Sequence, residues 1–124
     1  MSARTRAAIA RIEREAKAVD SLDPGTTHAA LQTYRRFLAG PGRYRYTPLS
    51  DCSCPDCELE DVAVARDRIQ QVLERLPRRP RRELAALVAP LDRQLERRTL
   101  PDPFAHLHPY RSRRPWWGRR LTGP

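Results

Sequence analysis

Residues 59–76 read LEDVAVARDRIQQVLERL, and this stretch has the clearest helical pattern in the chain. Apolar side chains recur every three or four residues, at Leu59, Val62, Ala65, Ile69, Leu73 and Leu76. In an α-helix this spacing places them all on one face. The polar residues expected to face away are Glu60, Asp67, Gln71 and Arg75. We therefore predict an amphipathic helix that ends at Pro77, and an all-α fold around it.

Three other segments carry the same period. Their inward faces are Ile9, Ile12, Ala16 and Val19 in residues 2–19; Ala30, Leu31, Tyr34, Phe37 and Leu38 in residues 26–39; and Leu84, Leu87, Val88, Leu91 and Leu95 in residues 80–98. The sequence Asp23-Pro24-Gly25 predicts a turn before the second of these helices, with Thr26 or Thr27 as its N-cap. Two short helices joined by such a turn form a helical hairpin.

Two prolines bear on the fourth helix. Pro80 suits a first helical turn, where its missing amide has no intrahelical partner to lose. Pro90 falls in the middle, where proline removes a backbone hydrogen bond and crowds the carbonyl of Ala86, at a cost of about 3 kcal/mol. We therefore expect a kink or a break between Ala86 and Ala89, with the apolar stripe continuing past it.

The remaining segments lack a helical period. Residues 40–58 contain all three cysteines, together with prolines and glycines, and we interpret them as a Cys-rich loop. Residues 43–47 alternate as a strand does but have no evident partner, so they belong to this loop. Five prolines in residues 101–124 exclude a regular helix. The prediction is a small four-helix domain at residues 1–100 and an extended Pro/Arg/Trp-rich tail at 101–124.

The composition limits the class of protein. Among 124 residues, Leu, Ile, Val and Phe together number only 24, which makes a thin core and excludes a large multi-layer enzyme. No apolar run approaches the ~20 residues of a membrane helix, and no signal peptide is present, so we expect a cytoplasmic protein without a membrane partner. The net charge is +9. Residues 71–124 carry 13 basic against 5 acidic residues, so nearly all of the excess lies there.

All three cysteines lie within residues 52–57, CSCPDC. Stable disulfides are not expected in the cytoplasm, and three thiolates this close suit one tetrahedral zinc ion that needs a fourth ligand. The candidate ligands are Cys52, Cys54 and Cys57, completed by His106 or His108, with His28 a further possibility. The nearby acids favour a cation. We therefore predict a structural zinc site.

The C-x-C-x-x-C spacing resembles the zinc loop of tRNA-guanine transglycosylases, in which a histidine on the following helix is the fourth ligand. The resemblance covers six residues and implies zinc binding. Residues 58–100 contain no histidine, so the family's fourth ligand and its activity are not carried over.

Other interpretations of the cysteines stay open. Cys54-Pro55-Asp56-Cys57 resembles the active-site motif of thioredoxin-like oxidoreductases, which implies a small thiol oxidoreductase. However, no βαβ pattern flanks the motif, and the adjacent acids oppose thiolate formation. An iron–sulfur cluster and three unliganded thiols are the remaining alternatives. A Gly-rich phosphate loop and a G-x-S-x-G motif are both absent from the sequence, so we expect a protein without enzymatic activity.

Two arginine clusters without acids suggest the function. The corner cluster lies between the third and fourth helices and consists of Arg75, Arg78, Arg79, Arg81 and Arg82. The tail cluster consists of Arg111, Arg113, Arg114, Arg119 and Arg120, flanking Trp116 and Trp117. Arginine binds phosphate, and exposed tryptophan stacks on unpaired bases. These clusters favour a non-specific nucleic-acid-binding accessory protein.

Two alternatives concern the tail. The tryptophans could instead pack against the helices, with arginine stems covering apolar surface. The tail could also anchor an acidic protein surface, because Trp and Arg dominate many interfaces, and the chain would then be an adaptor subunit of a larger assembly.

Overall fold

The computed structural model of the chain describes residues 1–20, 22–48 and 61–123, and for residues 17–20 it describes the backbone alone. Over these residues the chain forms four α-helices: α1 (Ala3–Asp20), α2 (Thr26–Leu38), α3 (Val62–Arg75) and α4 (Arg78–Arg98). Three 3-10 turns follow in the tail, at Ala105–Leu107, Arg111–Arg113 and Trp116–Gly118. The predicted all-α class is confirmed. No helix of the described part is long and apolar enough to cross a membrane.

The helices enclose one core. α2 packs most extensively on α3, and α4 contacts the other three helices. The described members of the apolar stripe in residues 59–76 are all buried, namely Val62, Ala65, Ile69, Leu73 and Leu76. Ile9, Leu31, Leu84 and Trp117 belong to the same core, so the tail adds a large side chain to the core that the helices form. The periodicity therefore predicted the buried faces correctly.

The N-terminus of α2 differs from the prediction. Its N-cap is Gly25, with a φ of 83°, and not Thr26 or Thr27. The cap is supplied by α1: the buried carboxylate of Glu13 accepts hydrogen bonds from the amides of Gly25 at 3.1 Å and Thr27 at 2.8 Å. Glycine adopts a positive φ without steric cost, which allows the chain to turn tightly before the helix.

Pro90 does not break α4, so the predicted break is wrong: the helix runs as one element from Arg78 to Arg98. Pro90 and Ala86 both lie on the exposed side. The carbonyl that loses its partner therefore faces solvent, where water satisfies it. On the opposite side Leu84, Val88 and Leu95 are buried, which holds the two halves of the helix in one line.

The loop before the cysteines and the tail meet. Thr47 forms a parallel bridge with Thr122, and Pro101 forms an antiparallel bridge with Arg120. The loop interpretation of residues 43–47 is confirmed, and the segment nevertheless has a partner, the tail. As the prolines predicted, the tail has no helix longer than three residues in residues 101–123.

Candidate nucleic-acid interface

The tryptophan pair docks the tail on the helices. Trp117 is 7% exposed, and its Nε1 donates a 2.7 Å hydrogen bond to Asp67 of α3. The Arg66 guanidinium lies 4.2 Å from the ring centroid, in cation–π geometry. Trp116 is half-buried, and its ring meets Trp117 edge-on at 5.9 Å between centroids. Trp117 would have to leave the core to stack on a base, so its contribution here is to packing.

A buried polar network lies beneath Trp117. Arg66 is 6% exposed and binds Asp92 of α4 through two hydrogen bonds, of 2.9 and 3.1 Å. The hydroxyl of Tyr34, from α2, donates to the same carboxylate at 2.6 Å. Burial, followed by this bond, raises the pKa of the Tyr34 hydroxyl well above its usual value. The network joins three helices and the tail.

Sequence reasoning missed this network. The available signal was the helical register of α3, because Arg66 follows Val62 by four residues and precedes Ile69 by three, on the inward face. An arginine at an inward position requires a buried acidic partner, which the sequence alone does not identify.

Three of the five tail arginines hold the tail in place. Arg114 pairs with Asp67 at 2.7 Å, and Arg111 pairs with Asp102. Arg120 is buried and donates to the hydroxyl of Thr99 and to carbonyls at the C-terminus of α4. Burial lowers the pKa of Arg120 below its usual value. Among these five, only Arg113 and Arg119 are exposed.

The corner cluster is largely exposed. Arg81 donates to the carbonyl of Leu76 at 2.8 Å and so caps α3. Arg75 reaches the carbonyl of Gln71 within its own helix. The other three members are exposed and have no ion pair with any described acid: Arg78, Arg79 and Arg82. The corner cluster lies at the N-terminus of α4 and the tail cluster near its C-terminus, so the structure does not bring the two together.

A third group of cations lies on α4 itself. Arg79, Arg82, Arg93 and Arg97 are all exposed and make no ion pair within the described chain. At 100° per residue they fall within an arc of about 60° opposite the buried side. The surface between them is formed by exposed small residues, Ala86, Ala89 and Pro90. We call these seven residues the arginine face. Arg93 and Arg97 were absent from the predicted binding set, although their helical spacing from Arg79 and Arg82 was a usable signal.

The acids of α4 do not neutralise this face. Asp92 is bound to Arg66, and Glu83 accepts hydrogen bonds from the Thr5 hydroxyl and from the amide and hydroxyl of Ser2. These bonds, that of Thr5 first, lower the pKa of Glu83 to about 2. Glu96 is exposed and lies about 60° around the helix from Arg93, at the flank of the face.

No protein-family model matches the chain. No curated protein and no solved structure matches it either. A function for this chain therefore rests on its own residues and their geometry.

The predicted metal and redox residues are mostly beyond reach of the geometry. Cys52, Cys54 and Cys57 lie outside the described residues, so zinc and the thiol oxidoreductase stay predictions. His106 and His108 are both exposed, and Nδ1 of His108 accepts hydrogen bonds at 3.2 Å from two backbone amides. Residues 1–48 and 61–123, where described, hold no group of three or more His, Cys, Asp or Glu that could bind a metal ion.

One exposed apolar surface lies in the tail. Phe104, Leu107 and Tyr110 are 68%, 69% and 79% exposed. Their loop is well ordered by hydrogen bonds: Asp102 accepts from the amide of Phe104 at 2.9 Å and pairs with Arg111. These two contacts, in that order, lower the pKa of Asp102. Large apolar side chains held outward by an ordered loop are typical of a contact surface for another molecule.

Proposed function

We propose that this chain is a non-catalytic nucleic-acid-binding protein that contacts phosphate groups through exposed arginines. The observation that carries the proposal is the arginine face of α4, on which four guanidinium groups share one exposed surface without an intervening acid. Such a surface repels itself, and a polyanion relieves that repulsion.

The residue types favour the phosphate backbone over the bases. Arginine forms bidentate bonds with phosphate oxygens. Alanine and proline side chains, which occupy the middle of the face, carry no hydrogen-bonding group that could distinguish one base edge from another. Trp117 is buried, which removes the strongest stacking group of the tail. Binding without sequence preference follows from this combination.

Salt titration tests the proposal. Four phosphate contacts give a log–log slope of about −3.6, so the affinity for a labelled oligonucleotide should fall roughly 150-fold between about 50 and 200 mM salt. Fluorescence anisotropy measures this directly. Absence of binding to both single-stranded and duplex DNA and RNA at about 50 mM salt would refute the proposal.

A structural zinc ion remains part of the proposal. Its ligands would be Cys52, Cys54 and Cys57 with His106 or His108, a donor set of thiolates and imidazole that suits zinc. Native mass spectrometry of protein prepared under reducing conditions should show about one zinc per chain, lost in Cys54→Ser. A chain mass without metal would refute this part and leave nucleic-acid binding untouched.

The ordered apolar loop supports a second candidate function, that of a protein-interaction adaptor. Phe104, Leu107 and Tyr110 are exposed together, and Arg113 and Arg119 are exposed nearby in the tail. A partner for this surface would offer an apolar depression with acidic groups around it. Stable association with a defined protein, abolished by Phe104→Ala and unaffected by Arg79→Gln, would support the adaptor.

A further inference from the structure

The spacing of the arginine face carries an inference about the form of nucleic acid, and this inference rests on the proposed function. We propose that α4 lies across the major groove of a B-form DNA duplex, with Arg79 and Arg82 on one phosphate backbone and Arg93 and Arg97 on the other. The contact is with double-stranded DNA and has no sequence preference.

The first step is the separation of the two arginine pairs. Arg82 and Arg93 are eleven residues apart, which corresponds to ~16 Å along the axis of α4. The major groove of B-DNA is ~12 Å wide and is bordered by the two phosphate backbones. A helix that crosses this groove therefore brings one pair of guanidinium groups to each border, and flexible arginine side chains make up the remaining difference.

The second step is the surface between the pairs. Ala86, Ala89 and Pro90 are exposed and short, so the middle of the helix projects little above its backbone. Long side chains there would hold the helix away from the groove. Short ones allow close approach, and because they lack donors and acceptors, base edges are not read.

The third step excludes other forms of nucleic acid. Single strands are bound by aromatic stacking platforms along a cationic groove, and α4 presents no aromatic residue on the arginine face. A-form RNA has a deep, narrow major groove that does not admit a helix across it. Two cationic pairs separated by an uncharged section match a duplex with two backbones at a fixed distance.

The arginines of this face are suited to mutation because they are not used by the fold. All four are exposed, and none of them forms an ion pair or side-chain hydrogen bond with a described residue. Glutamine has a helix propensity close to that of arginine. Arg79→Gln/Arg82→Gln and Arg93→Gln/Arg97→Gln should therefore fold as the parent does, which thermal melting verifies.

The experiment uses the full chain and three probes of about 20 nucleotides with one sequence: duplex DNA, single-stranded DNA and duplex RNA. We expect the parent to bind duplex DNA at least tenfold more tightly than either other probe. Each double variant should lose this preference and lower the salt slope by about two units, because two phosphate contacts are lost. The matched control is Arg35→Gln/Arg36→Gln, which removes two exposed cations from α2.

The outcomes separate this inference from the proposed function. Equal affinity for the three probes, or equal weakening by the control and the α4 variants, would overturn the groove-crossing geometry while leaving phosphate binding in place. A loss confined to one of the two α4 pairs would also overturn it, since both borders of the groove are required. Absence of binding to any probe would refute the proposed function itself.

Discussion

Arg66, Arg98 and Arg120 are arginines whose guanidinium groups are used inside the fold. Arg98 donates to the carbonyls of Leu38 and Gly40, which closes the C-terminus of α2, and Arg120 does the same for α4. Each group reaches several acceptors at once because its donors are arranged in a planar fork. Lysine has no such fork. The arginine-rich composition therefore serves two purposes, internal capping and a cationic exterior.

The Arg66–Asp92 pair is where a single substitution should be most costly. In Asp92→Asn the buried guanidinium loses its counter-charge, and we expect the free energy of unfolding to fall by about 3 kcal/mol. Tyr34→Phe is the control: it removes one hydrogen bond from the same carboxylate and should cost about 1 kcal/mol. Urea denaturation measures both. Equal losses would show that the charge on Asp92 contributes nothing.

At the scale of elements, α2 depends on α1 for its N-terminus. The Glu13 carboxylate is the acceptor that the glycine N-cap cannot provide. Removal of such a cap leaves a buried amide of Thr27 unsatisfied.

We expect Glu13→Ala to lower the free energy of unfolding by about 1–2 kcal/mol. Glu13→Gln keeps one acceptor oxygen and should cost less than half as much. Chemical denaturation followed by circular dichroism distinguishes the two. An alanine variant as stable as the glutamine variant would contradict the capping role.

The sequence could predict the elements but not how polar residues join them. Helical periods depend on local spacing, so the inward faces of α1 to α4 were predictable residue by residue. The pairing of Arg66 with Asp92 depends on which helices become neighbours, and that information is not local. Pro90 shows the same limit, because its effect depends on whether the Ala86 carbonyl faces water or protein. The arginine face was half visible, since only Arg79 and Arg82 lie in a sequence cluster.

For the whole molecule, the tail completes the fold. Trp117 covers the Arg66–Asp92 pair and bonds to Asp67, while residues 121–123 pair with Thr47. The Cys-rich loop leaves the described body at Pro48, next to Thr47, and rejoins it at Asp61. Its first stem is therefore held by the tail.

Trp117→Ala should lower the free energy of unfolding by about 3–5 kcal/mol, because it opens a cavity above a buried ion pair. Duplex DNA should not quench the fluorescence of Trp117 in the parent, since the indole stays buried on binding. Leu107→Ala, in the exposed loop, is the control and should leave stability unchanged. A stable Trp117 variant with weakened DNA affinity would instead assign the indole to the interface.

The contact between Trp117 and Asp67 spans 50 positions, whereas Arg66 and Asp92 are only 26 apart. During translation the ion pair can form first, and at ~5–20 residues per second the indole follows it by roughly 1–5 s. For that interval the nascent chain exposes the apolar floor on which the indole later packs. A chaperone would find its binding site on this transient surface, and a substitution that slows docking of the tail would lower the yield of folded protein before it changed the mature structure.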